Sequence, residues 1–253
     1  MTAVKLADLV RYLDDYLRVG QVWDLDVALN GLQVANSGTV TRVGAAVDLS
    51  EATVRLAAEQ KANLLLVHHG LFWGGLRPLT GPHYRRVAGL LEHDIALYSS
   101  HIPLDVHAEV GNNVVLARAL GAKVRGPFGM HHGEALGLWI ELSAPRDKLR
   151  DRLAEHLGST VKLMPFGPPT TSRVAIVTGG AAFLIRQVAE AGLDTFITGE
   201  GDHHSYFEAE ELGLNVYYAG HYATETVGVK ALAEHLTTKF GIPWVFLDHP
   251  TGL

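Results

Sequence analysis

Three short segments concentrate side chains able to ligate a metal or move a proton: His68-His69-Gly70, His101-Ile102-Pro103-Leu104-Asp105 and His221-Tyr222-Ala223-Thr224-Glu225. In the last two, a carboxylate comes four residues after the imidazole. The chain has 14 His and 0 Cys, which excludes disulfides, thiolate nucleophiles, Cys-ligated zinc and iron–sulfur clusters. Neutral imidazole with carboxylate suits Zn, Fe, Ni, Co or Mn, and it is the donor set of a two-metal hydrolytic centre. In such a centre two ions about 3.5–4 Å apart share a carboxylate and activate a water. Asp105 and Glu225 are the carboxylates in these segments that could bridge. The spacing is equally consistent with His101 and His221 bonding to loops while the acids cap helices. Thr224 reads as an N-cap with Glu225 opening a helix, whereas Pro103 keeps Leu104 and Asp105 in a loop.

The elements that must position these residues can be read from periodicity. Leu6, Leu9, Val10, Leu13 and Leu17 mark an amphipathic helix. Asn30-Gly31, between the apolar triplets 27–29 and 32–34, reads as a tight turn between short strands. A strand at 43–47, a helix at 50–60 with Ser50 as N-cap and a buried strand at 64–67 form a βαβ unit whose last strand runs into His68-His69. The order returns at 174–177, 181–191 and 195–198. A shift of 131 lays Arg42 on Arg173, Val43 on Val174, Arg55 on Arg186, Ala58 on Ala189 and Glu59 on Glu190. A shift of 120 lays Tyr98 on Tyr218, His101 on His221 and Asp105 on Glu225, after strands at 95–98 and 215–218. These matches indicate two related α/β halves. Between them lie a strand at 135–142, a charged helix at 145–157 and the turn-rich 165–169. The expected partition is an N-terminal α/β lobe over 1–125, a short middle segment and linker over 126–169, and a C-terminal α/β lobe over 170–253, with one continuous sheet as the alternative.

Val67-His68-His69-Gly70, Asn30-Gly31-Leu32-Gln33-Val34, His101 to Asp105 with Gly111-Asn112-Asn113 after it, Ile197-Thr198-Gly199-Glu200 and Ala219-Gly220-His221-Tyr222-Ala223-Thr224-Glu225 together resemble the Nif-three-like family, also called GTP cyclohydrolase I type 2 homologs. The motifs fall in the family's order over nearly the whole chain. The resemblance implies an α/β fold of two similar lobes with a di-metal cleft between them, in a short form without an inserted domain, and a hexameric ring. It places metal ligands on His68, His69, Asp105, His221 and Glu225. It places His101 beside the centre as a catalytic candidate and Glu200 near the cleft by the internal symmetry. The implied function is a dinuclear metal-dependent hydrolase of a small molecule such as a nucleotide, phosphoester or amide. A ring-shaped scaffold with structural metals, engaging a protein or single-stranded nucleic acid, is the alternative.

Other features argue against further sites. His203-His204 opens a helix over 205–211 and His131-His132 precedes a strand, so both read as exposed. Trp73 beside Phe72 could wall the cleft, although aromatic residues at a turn more often pack. No G-x-x-x-x-G-K-[ST] or G-x-S-x-G occurs, and Gly179-Gly180 is too short for a dinucleotide fingerprint. At 253 residues and 47% hydrophobic, the chain can bury a large core. Its 21 Lys and Arg against 27 Asp and Glu, a net charge of −6, offer no global field for nucleic acid. Lys5 and Asp8 interrupt the first apolar stretch, and no apolar run approaches the roughly 18 residues of a membrane span. A cytoplasmic protein is the expectation.

Overall fold

The computed structural model describes residues 3–252. Its contacts divide into two units, one comprising 1–110 with 228–249 and the other 111–227 with 250–253. This differs from the partition expected at 125 and 169. Strands within 126–169 share a sheet with strands of 170–218, and 228–249 belongs with the first unit.

In the first unit, β1 (Val4–Lys5), α1 (Leu6–Tyr16), β2 (Gly31–Val34), β3 (Thr39–Val40), β4 (Val43–Asp48), α2 (Glu51–Glu59), β5 (Leu64–His69), α3 (Gly81–Glu92), β6 (Ala96–Ser99) and α4 (Ile102–Asp105) occur in that order. β5 is buried along its whole length. It runs parallel between β4 and β6, and a strand flanked on both edges and covered on both faces reads as a continuous apolar run rather than an alternating one. The five-stranded sheet has the order β13-β4-β5-β6-β2, with β13 at Trp244–Phe246. Val54, Ala57 and Leu90 of α2 and α3 pack with Ala46, Leu65, Val67 and Leu97 in its core. Ser50 caps α2 as expected: its hydroxyl accepts from the Thr53 N–H while the Thr53 hydroxyl accepts from the Ser50 N–H, a reciprocal capping box.

The second unit contains α5 (Asn112–Ala119), β7 (Lys123–His131), β8 (Glu134–Pro145), α6 (Arg146–Leu157), β9 (Lys162–Pro165), β10 (Thr170–Ile176), α7 (Ile185–Glu190), β11 (Thr195–Thr198), α8 (Ser205–Glu211) and β12 (Asn215–Tyr218). Its six-stranded sheet has the order β7-β8-β10-β11-β12-β9. Here β10, β11 and β12 are parallel neighbours, as β4, β5 and β6 are in the first unit. α6 ends at Gly158 in the left-handed conformation that favours glycine. Leu149 and Leu153 of α6 pack with Leu116, Ile140, Val174 and Ile176. α9 (His221–Phe240) crosses the division of the chain at 227 and 228.

Three local expectations are corrected. Residues 26–28 form a turn, and β2 pairs antiparallel with β6 rather than with a strand at 27–29. Pro103 does not keep Asp105 in a loop. It lies in the first turn of α4, where a missing N–H costs nothing, and Asp105 ends that turn. α9 begins at His221, so Glu225 lies one turn inside the helix and Thr224 is not its N-cap. The Thr224 hydroxyl instead donates to the His221 carbonyl and accepts from the Gly179 N–H.

Candidate metal centre

Parallel register brings the first group of candidate ligands together. Asp48 of β4 lies opposite His69 of β5, and Val67 lies opposite Ser99 of β6, so 48, 68–69 and 100–101 emerge at the same carboxyl edge. His68, His69 and His101 each offer a ring nitrogen within 4.8 Å of the others. Each ring is oriented through its Nδ1: His68 against the Ser100 carbonyl at 2.9 Å, His69 against Asp48 at 2.8 Å and His101 against Asp24 at 2.7 Å. Carbonyls and carboxylates accept only, so Nδ1 carries a proton and the ring turns its Nε2 away from that partner. Asp105 approaches His68 Nε2 at 3.5 Å. Asp24 also accepts from the N–H groups of Leu25 and Ile102 and from the Asn30 amide. Burial works against its charge, but the bonds to His101, Asn30 and Leu25 prevail and hold its pKa below the usual carboxylate value.

The Asn30-Gly31-Leu32-Gln33-Val34 motif therefore clamps this edge rather than forming a hairpin tip. Asn30 Oδ1 accepts from the His101 N–H at 2.7 Å. Gln33 accepts from Leu71 N–H and donates to the Ala28 and Leu29 carbonyls. Its amide rests on Gly70, where an added Cβ would overlap the Gln33 amide and require that side chain to shift. Trp73 is half-exposed, with its ring centroid 4.4 Å from that of His69 and 4.6 Å from that of His101. It contacts these imidazoles instead of packing in the core.

The second unit builds a similar pairing. His221 Nδ1 contacts Glu200 at 2.7 Å, and its Nε2 contacts Glu225 at 3.1 Å. Burial lowers the His221 pKa, but Glu225 and Glu200 together outweigh it and raise the value to about 9. His221 and Glu225 would hold a divalent cation only in competition with the proton they share here. This donor chemistry fits a metal: an imidazole oriented by an acceptor on its far nitrogen, facing a carboxylate, is how protein sites present histidine to an ion.

The residues expected at the site are thus placed within each unit: His68, His69, His101 and Asp105 in one, His221, Glu225 and Glu200 in the other. Sequence reasoning missed Asp24, Asp48 and Asn30 as partners of the imidazoles. Asp48 had a usable signal, since it ends the first strand of the βαβ unit; Asp24, 77 residues before His101, had none. The doublets His131-His132 and His203-His204 are in neither group of imidazoles. Of the basic residues Arg85, Arg86, Lys123, Arg125, Arg150 and Arg152, which could line a nucleic-acid surface, four have local side-chain partners. In the first unit Arg85 binds Glu51 through two bonds, at 2.7 and 2.9 Å. In the second, Arg125 pairs with Glu141, Arg150 with Asp147 and Asp151, and Arg152 donates to the Leu120 carbonyl. Among the described residues, no helix is long and apolar enough to cross a membrane.

The model of the family described as Duf34/NIF3 (NGG1p interacting factor 3) matches residues 4–251. The chain is 45% identical over 250 residues to a GTP cyclohydrolase 1 type 2 homolog of Deinococcus radiodurans, covering 97% of this chain and 94% of that one. It is 42% identical to a protein of the same name from Archaeoglobus fulgidus, covering 99% and 100%. The fold matches the crystal structure of TTHA1606 from Thermus thermophilus with a TM-score of 0.91 at 45% identity, over 99% of this chain and 100% of that chain. The strand-end histidines and their carboxylates are thus set in a chain that belongs to the Duf34/NIF3 family.

Proposed function

We propose that the chain holds a dinuclear metal centre, with His68, His69, Asp105, His221 and Glu225 as ligands and Asp105 and Glu225 as bridging candidates, and that it hydrolyses a small molecule. The observation that carries this reading is the common construction of the four imidazoles, each with Nδ1 on an oxygen acceptor. Bound divalent ions would supply Lewis-acid polarisation and a water acidic enough to attack near neutral pH. The chain's own residues do the rest. Ser100, Asp48 and Glu200 fix the ring orientations of His68, His69 and His221. His101, held by Asp24 and Asn30, is placed to accept and return a proton at Nε2. Trp73 offers a flat apolar wall beside His69 and His101 on which a substrate can rest.

The names of the relatives refer to GTP cyclohydrolase, and a nucleotide, a phosphoester and an amide are all consistent with this chemistry. Assembly as a ring of six copies and a cytoplasmic location belong to the same proposal. The net charge of −6 disfavours the alternative, a scaffold for single-stranded nucleic acid, because counterion release needs a local basic lining. The test is a screen of metal-reconstituted protein against nucleotides, phosphoesters and amides, with GTP followed by formate release and Asp105→Ala as the control. Turnover by the parent and not by the variant supports the reading. No turnover by fully loaded protein on any class would remove the hydrolase assignment.

A further inference from the structure

We propose that Asn113 is a positioning residue for the His221–Glu225 pair, acting through the turn at 178–180; this rests on the reading of that pair as metal ligands. Asn113 is buried near the start of α5, and no chemistry is otherwise attached to the Gly111-Asn112-Asn113 segment. Its Oδ1 accepts the Thr178 N–H at 3.0 Å and its Nδ2 donates to the Leu136 carbonyl at 2.9 Å. Only the oxygen can serve an N–H and only the amide nitrogen can serve a carbonyl, so the two bonds fix the side chain's orientation.

The turn held in this way reaches every element that carries the second ligand set. Gly179 donates its N–H to Thr224 Oγ1 at 3.1 Å, one residue before Glu225. Its carbonyl accepts from the N–H groups of Gly199 at 2.8 Å and Glu200 at 3.2 Å and from the Thr198 hydroxyl at 3.1 Å. Gly179 has φ +70, and a Cβ there would overlap Glu225 Oε1 and come within 3.5 Å of His221 Nε2. The carboxylate and imidazole therefore rest on bare backbone. Close-packed interiors transmit small displacements, so a shift of this turn moves the Glu225 oxygen. Releasing Thr178 by truncating Asn113 permits that shift.

The test uses the metal-free full-length chain titrated with Co2+ alone, followed by calorimetry and visible absorption. The binding step lost in Glu225→Gln identifies the second ligand set. Asn113→Ala should weaken that step about 10- to 100-fold, the range for residues that orient ligands, and should alter its absorption spectrum while the other step stays within about twofold. Asn113→Asp, which keeps an oxygen facing Thr178, should bind with intermediate affinity. If Asn113→Ala lowers the thermal midpoint but leaves both steps within about twofold of the parent, Asn113 is merely structural and the proposal fails. Should Asn113→Ala not fold, Gly179→Ala carries the test, since its Cβ intrudes on Glu225. An unchanged step there overturns the proposal as well. Absence of any Co2+ binding by the parent chain would instead bring down the ligand reading on which the proposal depends.

Discussion

At the scale of single residues, protonation and ligation compete for the same atoms. His221 shares one proton with Glu225 and another with Glu200, which is why its pKa is raised to about 9 despite burial. The sign is fixed by the direction. A raised folded-state value contributes stability that is fully present below the unfolded value of about 6.5 and is lost as pH rises through about 9. With His221 as a ligand, as proposed, metal must displace that proton, so affinity at this set should rise by about tenfold per pH unit between pH 7 and 9 and level off above. Calorimetry in buffers of different ionisation enthalpy should report release of close to one proton at neutral pH; pH-independent affinity across that range would show that His221 is not a ligand. Asp105 is tested separately. Because it ends the one-turn α4 and does not belong to a packed core strand, Asp105→Ala should keep the circular dichroism of the parent while metal affinity falls at least about tenfold. Full occupancy in that variant would remove Asp105 from the ligands.

At the scale of elements, the sequence pattern is informative where local rules govern. The apolar run at 64–67 and the Ser50 cap are read correctly because burial and hydrogen-bond satisfaction act within a few residues. The capping box predicts that Ser50→Ala lowers stability by about 1 kcal/mol without affecting metal content, measured by denaturant unfolding of the metal-free protein. A loss much larger than this would mean that Ser50 also supports the adjacent Asp48 edge. The misread elements are those decided by distant contacts. Asn30-Gly31 has the composition of a hairpin turn, yet Asn30 is used by Asp24 and His101 and β2 pairs with β6. Thr224 has the chemistry of an N-cap, yet its hydroxyl is taken by Gly179 and α9 starts three residues earlier. Side-chain preference names the kinds of partner a residue can take, and only the folded chain chooses among them.

At the scale of the whole molecule, the internal repeat was the most useful sequence signal. The shifts of 131 and 120 correspond to two successions of adjacent parallel strands, β4-β5-β6 and β10-β11-β12, whose carboxyl ends carry His69 and Asp48 in one case and Glu200 and His221 in the other. The partition of the chain was less accessible. The return of the later part of α9 and β13 to the first unit depends on Val229, Leu232 and Leu236 being buried and on pairing with β4, which no local pattern announces. The net charge of −6 carries a molecular prediction: the protein should show no salt-dependent binding of single-stranded DNA at about 0.15 M ionic strength in fluorescence anisotropy. Tight binding that weakens steeply with added salt would restore the scaffold reading.

The central claim, that the chain is built around two metal ions, is tested most directly by counting them. Protein purified after growth with metal supplementation, or reconstituted from the metal-free state, should contain about two equivalents of divalent transition metal per chain by elemental analysis. Less than one equivalent of any such metal under both conditions would contradict the account.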